Sequence, residues 1–189
     1  MRITTGRFKG RTVQTVGDLS VRPAMDRARQ TIFNILAARM ELEGISVLDL
    51  FAGSGSLGLE ALSRGASRAL FVESSREACR LLQATLERFG CADEADVITM
   101  DAQQFLAGSR ERFDLVFADP PYVYPHTAGM PDEIITGKHL APGGILLIEH
   151  ATGLEFPASD RWELFTGRRF GRTTLSFFRP AHNQETSPS

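Results

Sequence analysis

At 189 residues, with 42% apolar and 23% charged side chains, the chain has material for one well-buried domain and a modest appendage, not for a fibrous or disordered protein. No apolar run approaches the ~20 residues of a membrane span, and Met1–Gly6 lacks the apolar core of a secretory signal. Cys79 and Cys91 have neither disulfide-framework nor metal-ligand spacing, so a cytoplasmic protein without a metal is expected. The net charge of −2 hides an asymmetry, because residues 1–30 carry five net positive charges and residues 161–180 four, around an acidic middle. If the two ends meet in space they make a surface suited to phosphates. Solvated charge on two separate segments is the equally open alternative.

In chain order, Ile3 and Thr12–Val16 flank a glycine-bearing turn and predict a small hairpin. Its turn, Arg7-Phe8-Lys9-Gly10-Arg11, offers cations for phosphates and a ring for base stacking, although Phe8 can equally anchor the hairpin to a core. After Arg22-Pro23, apolar positions at Ala28, Ile32, Ile35 and Leu36 form one stripe of a helix from about Met25 to Met40. Asp26 and Arg27 lie at its start, where an acid also suits the helix dipole.

From Ser46 onward strands and helices alternate. The strand Ser46–Leu50 leads to a helix through Leu57, Ala61 and Leu62 that Gly65 can close. The strand Ala69–Val72 ends at Glu73, and Ser75 can cap a helix whose apolar stripe is Ala78, Leu82, Thr85, Leu86 and Phe89. The strand Val97–Met100 ends at Asp101, before a short helix near Gln103–Leu106. The strand Leu115–Ala118 ends at Asp119-Pro120-Pro121-Tyr122. A helix and the Pro142-Gly143-Gly144 loop then precede a strand Ile145–Ile148. Such βα alternation predicts an α/β protein with a parallel sheet covered on both faces. Trp162–Arg168 and Thr173–Phe178 are strands too close in sequence for a crossover helix, so they pair antiparallel or lie on separate sheets. The expected organisation is a basic hairpin extension over 1–22, one domain over 23–180, and a polar, disordered tail over 181–189.

Val47–Gly58 organises the rest. A buried strand running into Gly53-x-Gly55-x-x-Gly58 puts a sharp turn, backbone N–H groups and a helix start at a strand's carboxyl end. That spacing also satisfies the dinucleotide fingerprint and does not by itself select a cofactor. Asp49 does. An anion there would repel a pyrophosphate, but attracts the sulfonium and ammonium groups of S-adenosylmethionine (SAM). The alternative for Asp49 is a cap on the turn. Phe51, Ala52, Gly53, Ser54 and Gly55 are the loop's candidate cofactor contacts. Glu73 with Ser74 is positioned for ribose hydroxyls, and Asp101 with Ala102 for the adenine.

Asp119-Pro120-Pro121-Tyr122 is the most specific signal. An exocyclic amine is a poor nucleophile because its lone pair is delocalised into the base. Asp119 and the Pro120 carbonyl can accept its two N–H protons and turn the lone pair toward a methyl donor. The prolines stiffen this array of acceptors, and Tyr122 can stack on a flipped base. Asp119 borders the cofactor as well. His126 in the following loop has no evident role.

With these motifs the chain resembles class I SAM-dependent N-methyltransferases, and more closely the RsmD family of bacterial 16S rRNA guanine-N2 methyltransferases. The resemblance runs from Arg2 to about Phe178 and includes Arg22-Pro23-Ala24-Met25-Asp26-Arg27, Leu48–Ala61 and Arg169-Phe170-Gly171-Arg172-Thr173. It implies a Rossmann-like, seven-stranded, mostly parallel sheet with one antiparallel strand, SAM as methyl donor, and a guanine of 16S rRNA in an assembling 30S subunit as target of a monomeric enzyme. Arg2, Arg7, Lys9, Arg11, Arg22, Asp26, Arg27, Arg169 and Arg172 are the candidate substrate-side residues. Thr5, Lys9 and Ala24 depart from the family's usual glycine, arginine and threonine. Three other readings share parts of the pattern: an adenine-N6 or other nucleic-acid amine methyltransferase, a nicotinamide-dependent oxidoreductase, and a non-catalytic assembly factor.

Overall fold

The computed structural model describes residues 1–15 and 23–181, with the side chains of the second segment described from Arg27 onward. Arg22, the side chain of Asp26, and the expected disordered tail beyond Ala181 lie outside the described residues. Seven strands form one sheet: β1 (Ser46–Leu50), β2 (Arg68–Glu73), β3 (Ala95–Thr99), β4 (Phe113–Ala118), β5 (Leu140–Ala151), β6 (Trp162–Phe170) and β7 (Thr173–Pro180). Their order is β3-β2-β1-β4-β5-β7-β6, and β7 alone runs antiparallel to its neighbours. The final two strands thus pair with each other, and β7 inserts between β5 and β6.

Helices cover both faces. α1 (Pro23–Ala37), α2 (Ser56–Ser63) and α3 (Arg76–Phe89) bury Phe33, Leu36, Leu62, Leu82 and Leu86 against Val47, Phe71, Leu115 and Phe117. α4 (Ala102–Gly108) and α5 (Met130–Thr136) bury Phe105, Leu106 and Ile134 against Leu48, Leu50, Val116 and Ile148 on the other side. Each such side chain contributes about 1.5–3 kcal/mol when removed from water. Period-two alternation in β1 sends Leu48 and Leu50 to the α4 side and leaves Val47 and Asp49 beneath α2. α3 forms as its sequence predicts, with Ser75 Oγ accepting from Ala78 N–H at 3.3 Å and all five stripe residues buried. In α1 the apolar stripe is wider than expected, because Phe33 is fully buried and meets Phe117 edge-on at 5.9 Å.

Two expectations need correction. Pro142-Gly143-Gly144 lies within β5, where the register against β4 slips between Phe113 and Leu115, and Gly143 takes a φ of 77° to form the irregularity. The N-terminal segment is a hairpin held by a single antiparallel bridge, Arg2 to Thr12, rather than by two strands. Packing against α2 and α3 substitutes for a longer ladder. Phe8 is buried against Phe89, with ring centroids 5.1 Å apart, so it anchors the hairpin and is not free to stack on a base.

Glu60 of α2 holds that segment in place. Its fully buried carboxylate accepts from Thr4 N–H at 2.8 Å, Thr4 Oγ1 at 2.6 Å, Thr5 N–H at 3.0 Å and Arg64 Nε at 3.0 Å, with Arg29 Nε of α1 at 3.7 Å. Removing one member of such a buried charged network costs about 3–5 kcal/mol, because the others lose their partner in a dry site. Glu60→Ala is therefore expected to lower the melting temperature by about 6–20 °C at this chain length. Differential scanning calorimetry, with limited proteolysis at the N-terminus, checks it; a wild-type transition would show the network to be dispensable.

Candidate functional site

The parallel strands end at one level. The pairs Leu50 with Val72, Val72 with Ile98, Leu50 with Ala118 and Ala118 with Ile148 set a common register, so the residues that follow share one edge of the sheet. On that edge the turn after β1 is tightly fastened. Ala52 N–H donates to Val72 O at 3.1 Å, Gly53 N–H to Glu73 Oε2 at 2.9 Å and Gly55 N–H to Ala52 O at 2.7 Å. Gly55 precedes α2 with a φ of 71°, and a Cβ on Gly58 would lie 2.3 Å from the Phe71 ring, so both positions need glycine. Phe51 also takes a positive φ, 59°, a conformation costing of order 1–3 kcal/mol in a non-glycine residue. Its ring is held edge-on by Tyr124 at 5.0 Å, which in turn meets His126 at 5.5 Å. His126 is thus the outer member of an aromatic row beside the loop.

Asp49 lies beneath this turn, 2% exposed, and its Oδ2 accepts from Gly58 N–H at 2.9 Å. It caps the third residue of α2 from the neighbouring strand, which is the structural role weighed for it above. Burial pushes its carboxyl up to about 8; the Gly58 bond opposes the shift, and the charges of Asp119 and Glu73 add to it. Glu73 accepts from Gly53 N–H and, through Oε1, from Ser75 N–H at 2.7 Å, so it locks the first two loops together. Asp101 Oδ1 caps α4 through Gln103 N–H at 2.8 Å and Gln104 N–H at 3.4 Å.

Asp119 follows β4 directly, its N–H 3.4 Å from Leu50 O. Asp119 is exposed at the surface, but the protein packed around its carboxyl desolvates it and raises it to about 6. Tyr122 is 62% exposed, and its hydroxyl hydrogen-bonds Thr173 at the start of β7, so its ring bridges the loop to the last hairpin. A cleft of about 140 Å³ opens here, lined by Met1, Arg29, Leu57, Asp119, Glu149 and Phe170 among others. Pockets for drug-sized ligands run to roughly 300–1,000 Å³, so this one suits a single ring system rather than a nucleoside cofactor. A wider hollow of about 750 Å³ lies at the opposite edge of the sheet beside Thr5, Arg7, Ser63 and Glu94, and holds none of the strand-end acids.

The basic residues divide between these two ends. The hairpin turn docks where α2 and α3 finish, with Arg7 N–H bonded to Ser63 O and Phe8 N–H to Ser63 Oγ. Arg7 pairs with Glu94, and Arg11 donates to Phe89 O at 3.0 Å and to Arg88 O, its guanidinium stacked on Phe89 at 4.2 Å. These two cations serve the fold, and only Lys9 of the turn lacks a partner among the described residues. Arg169 and Arg172 flank the turn that carries Phe170 and Thr173, so they border the cleft; Arg2 and Arg27 are exposed near its N-terminal wall. Glu149, Tyr124 and Arg29 are site residues that the sequence does not single out, and Phe170 and Thr173 stand there only within the motif that carries the resemblance, with no site role. Glu149 was within reach of sequence reasoning, because it follows the strand Ile145–Ile148 just as Asp119 follows β4.

The sheet does not supply the second mononucleotide-binding half of a nicotinamide enzyme, since beyond β5 the described strands continue with antiparallel β7. Comparison with known proteins agrees with a different lineage. A family model described as Conserved hypothetical protein 95, that of the RsmD proteins, matches residues 1–179. A putative rRNA methyltransferase YlbH of Bacillus subtilis is 34% identical over 160 residues, covering 83% of this chain and 86% of that protein. Ribosomal RNA small subunit methyltransferase D of Haemophilus influenzae is 30% identical over 174 residues, covering 90% of this chain and 89% of that protein. The solved structure of putative methyltransferase yhhF from Escherichia coli superimposes with a TM-score of 0.84 at 31% identity, over 96% of this chain and 98% of that one. The glycine turn, the strand-end acids and Asp119–Tyr122 thus stand in a sheet of matching topology, and the chain belongs to the RsmD family of methyltransferases.

Proposed function

We propose that this protein transfers a methyl group from SAM to the exocyclic N2 amine of a guanine in 16S rRNA. The observation that carries the reading is the β1–β4 register: it brings Phe51 and the glycine turn beside Asp119-Pro120-Pro121-Tyr122, so a methyl-donor site and an amine-acceptor array adjoin. The names of the relatives, which specify rRNA and the small subunit, support the substrate class.

The residues fit SAM. The charges of Asp119 and Glu73 disfavour ionisation of Asp49, and the raised carboxyls of Asp49 and Asp119 are those of a site that gains by receiving a cation. When bound, SAM supplies an electrophilic methyl on a sulfonium. Glu73 keeps lone pairs for ribose hydroxyls while it holds Gly53, and Asp101 has a second oxygen for the adenine amine beside the cap made by Oδ1. Phe51 and Tyr124 wall the groove with apolar surface. Asp119 and the Pro120 carbonyl would orient the amine toward the donor's methyl, and the proton that the amine gives up in exchange for the methyl would pass to Asp119 or water. Tyr122, tied to Thr173, offers an exposed ring for stacking. Arg169, Arg172, Arg2 and Arg27 border the cleft as phosphate partners.

Asp119→Ala is expected to reduce methyl transfer to 16S rRNA on the order of 10²–10³-fold, the cost of losing a pre-organised polar contact to the reacting group, while SAM binding survives. Labelled-methyl incorporation and calorimetry measure the two; wild-type turnover would sink the proposal.

The Asp49 carboxyl provides a test in pH. Raised to about 8 in the folded protein, it keeps a proton that the unfolded chain releases near 4, so its contribution to stability falls as pH rises through that window. A cation in the groove favours the ionised form. SAM binding at pH 7 is therefore expected to release protons and to tighten as pH rises toward 8. Asp49→Asn keeps an acceptor for Gly58 N–H and removes the charge; it should weaken SAM by roughly tenfold, about 1.4 kcal/mol, and reduce the release. Calorimetry in buffers of different ionisation enthalpy reads both, and proton uptake or none in the wild type contradicts the prediction.

A further inference from the structure

We propose that Glu149 recognises the target guanine by accepting its N1–H, beside the N2 amine held by Asp119 and Pro120; the inference rests on the guanine reading above. Ala118 and Ile148 are paired across β4 and β5; Asp119 is the residue that follows β4, and Glu149 the next residue of β5. Their backbones are therefore about one strand spacing apart, roughly 4.8 Å, and both line the same cleft with Leu57, Phe170 and Thr173.

The other acids of this edge spend oxygens on the protein itself: Asp49 on Gly58, Glu73 on Gly53 and Ser75, Asp101 on the start of α4. Asp119 and Glu149 do not. Among the described residues neither side chain accepts a hydrogen bond or forms an ion pair. Arg29, the cation on the α1 wall of the cleft, donates to Arg2 O at 2.5 Å and faces Glu60. A half-buried carboxylate without donors is costly, and burial first, then the charge of Asp119, raises the Glu149 carboxyl. In the free protein only solvent can donate to them, so both keep acceptor capacity for a molecule that enters.

Two adjacent carboxylates call for two adjacent donors. Among the four standard bases only guanine presents N1–H next to an exocyclic amine on one edge. Adenine and cytosine place a ring-nitrogen lone pair beside the amine, which an ionised Glu149 would repel, and uracil has no amine. Phe170 and Leu57 supply apolar walls for the ring faces. Glu149 thus selects the base, and Asp119 orients its reacting nitrogen.

The test compares an rRNA substrate carrying guanine at the mapped position with one carrying 2-aminopurine there, which keeps the C2 amine but has a lone pair at N1. Assays run at pH 8 with wild type, Glu149→Gln and Glu149→Ala, alongside SAM calorimetry and melting curves. Wild type should prefer guanine by at least about tenfold in kcat/KM, the scale of one good base-edge contact. Glu149→Gln should lose guanine activity by a similar factor, bring the preference close to one, and leave SAM affinity and melting temperature near wild type. A destabilised variant would lose activity on both substrates alike, so the ratio separates recognition from folding, and Glu149→Ala supplies the same ratio without a new donor. Either variant retaining the wild-type preference overturns the inference while N2-methylguanosine from the wild type upholds the reading beneath it. A wild-type product methylated elsewhere overturns both.

Discussion

The hydrogen bond from Gly58 N–H to the buried carboxyl of Asp49 is the interaction on which the rest of the site depends. It joins the end of β1 to the first turn of α2, and the absence of a side chain on Gly58 lets the Phe71 ring pack close beneath. With strand and helix fixed to one another, the intervening turn has little freedom, and Glu73 removes more by binding Gly53. The two roles weighed for Asp49, structural cap and partner of a cation, are compatible. A neutral carboxyl can hold Gly58 in the free protein, and its ionisation then answers the arrival of positive charge.

A division of labour runs along the carboxyl edge of the sheet. Inward-committed acids build loops, and the acceptors of Asp119 and Glu149, bound to no protein donor among the described residues, line the cleft. The wall opposite them comes from outside the α/β core. Met1 reaches the cleft because Glu60 clamps Thr4 and Thr5 to α2, Arg29 lines it from α1, and Phe170 and Thr173 reach it because the last hairpin folds back onto β5. Both additions to the core thus contribute to the same small volume, which explains how a basic beginning and a basic end come to frame an acidic middle. Only part of the basic charge takes part. Arg169 and Arg172 border the cleft, whereas Arg7 and Arg11 are consumed at the far end of α2 and α3, where they neutralise Glu94 and the carbonyls that end a helix.

What the sequence by itself determined is what short-range physics controls. The β1 turn, the Ser75-capped α3 with its stripe from Ala78 to Phe89, and the acids at or near the ends of the parallel strands arise from spacing, capping and glycine, which act within a few residues. Contacts between residues distant along the chain decided the remainder. The partners of Arg7 and Arg11 lie 77 to 87 residues away, Phe8 finds Phe89, and Thr4 finds Glu60 across 56 positions, so no local pattern could distinguish an RNA-facing hairpin from one spent on the fold. The same holds for the insertion of β7 between β5 and β6, and for the pairing of Asp119 with Glu149. Each acid was visible in its own strand; their shared cleft exists only once hydrogen bonding sets β4 and β5 in register.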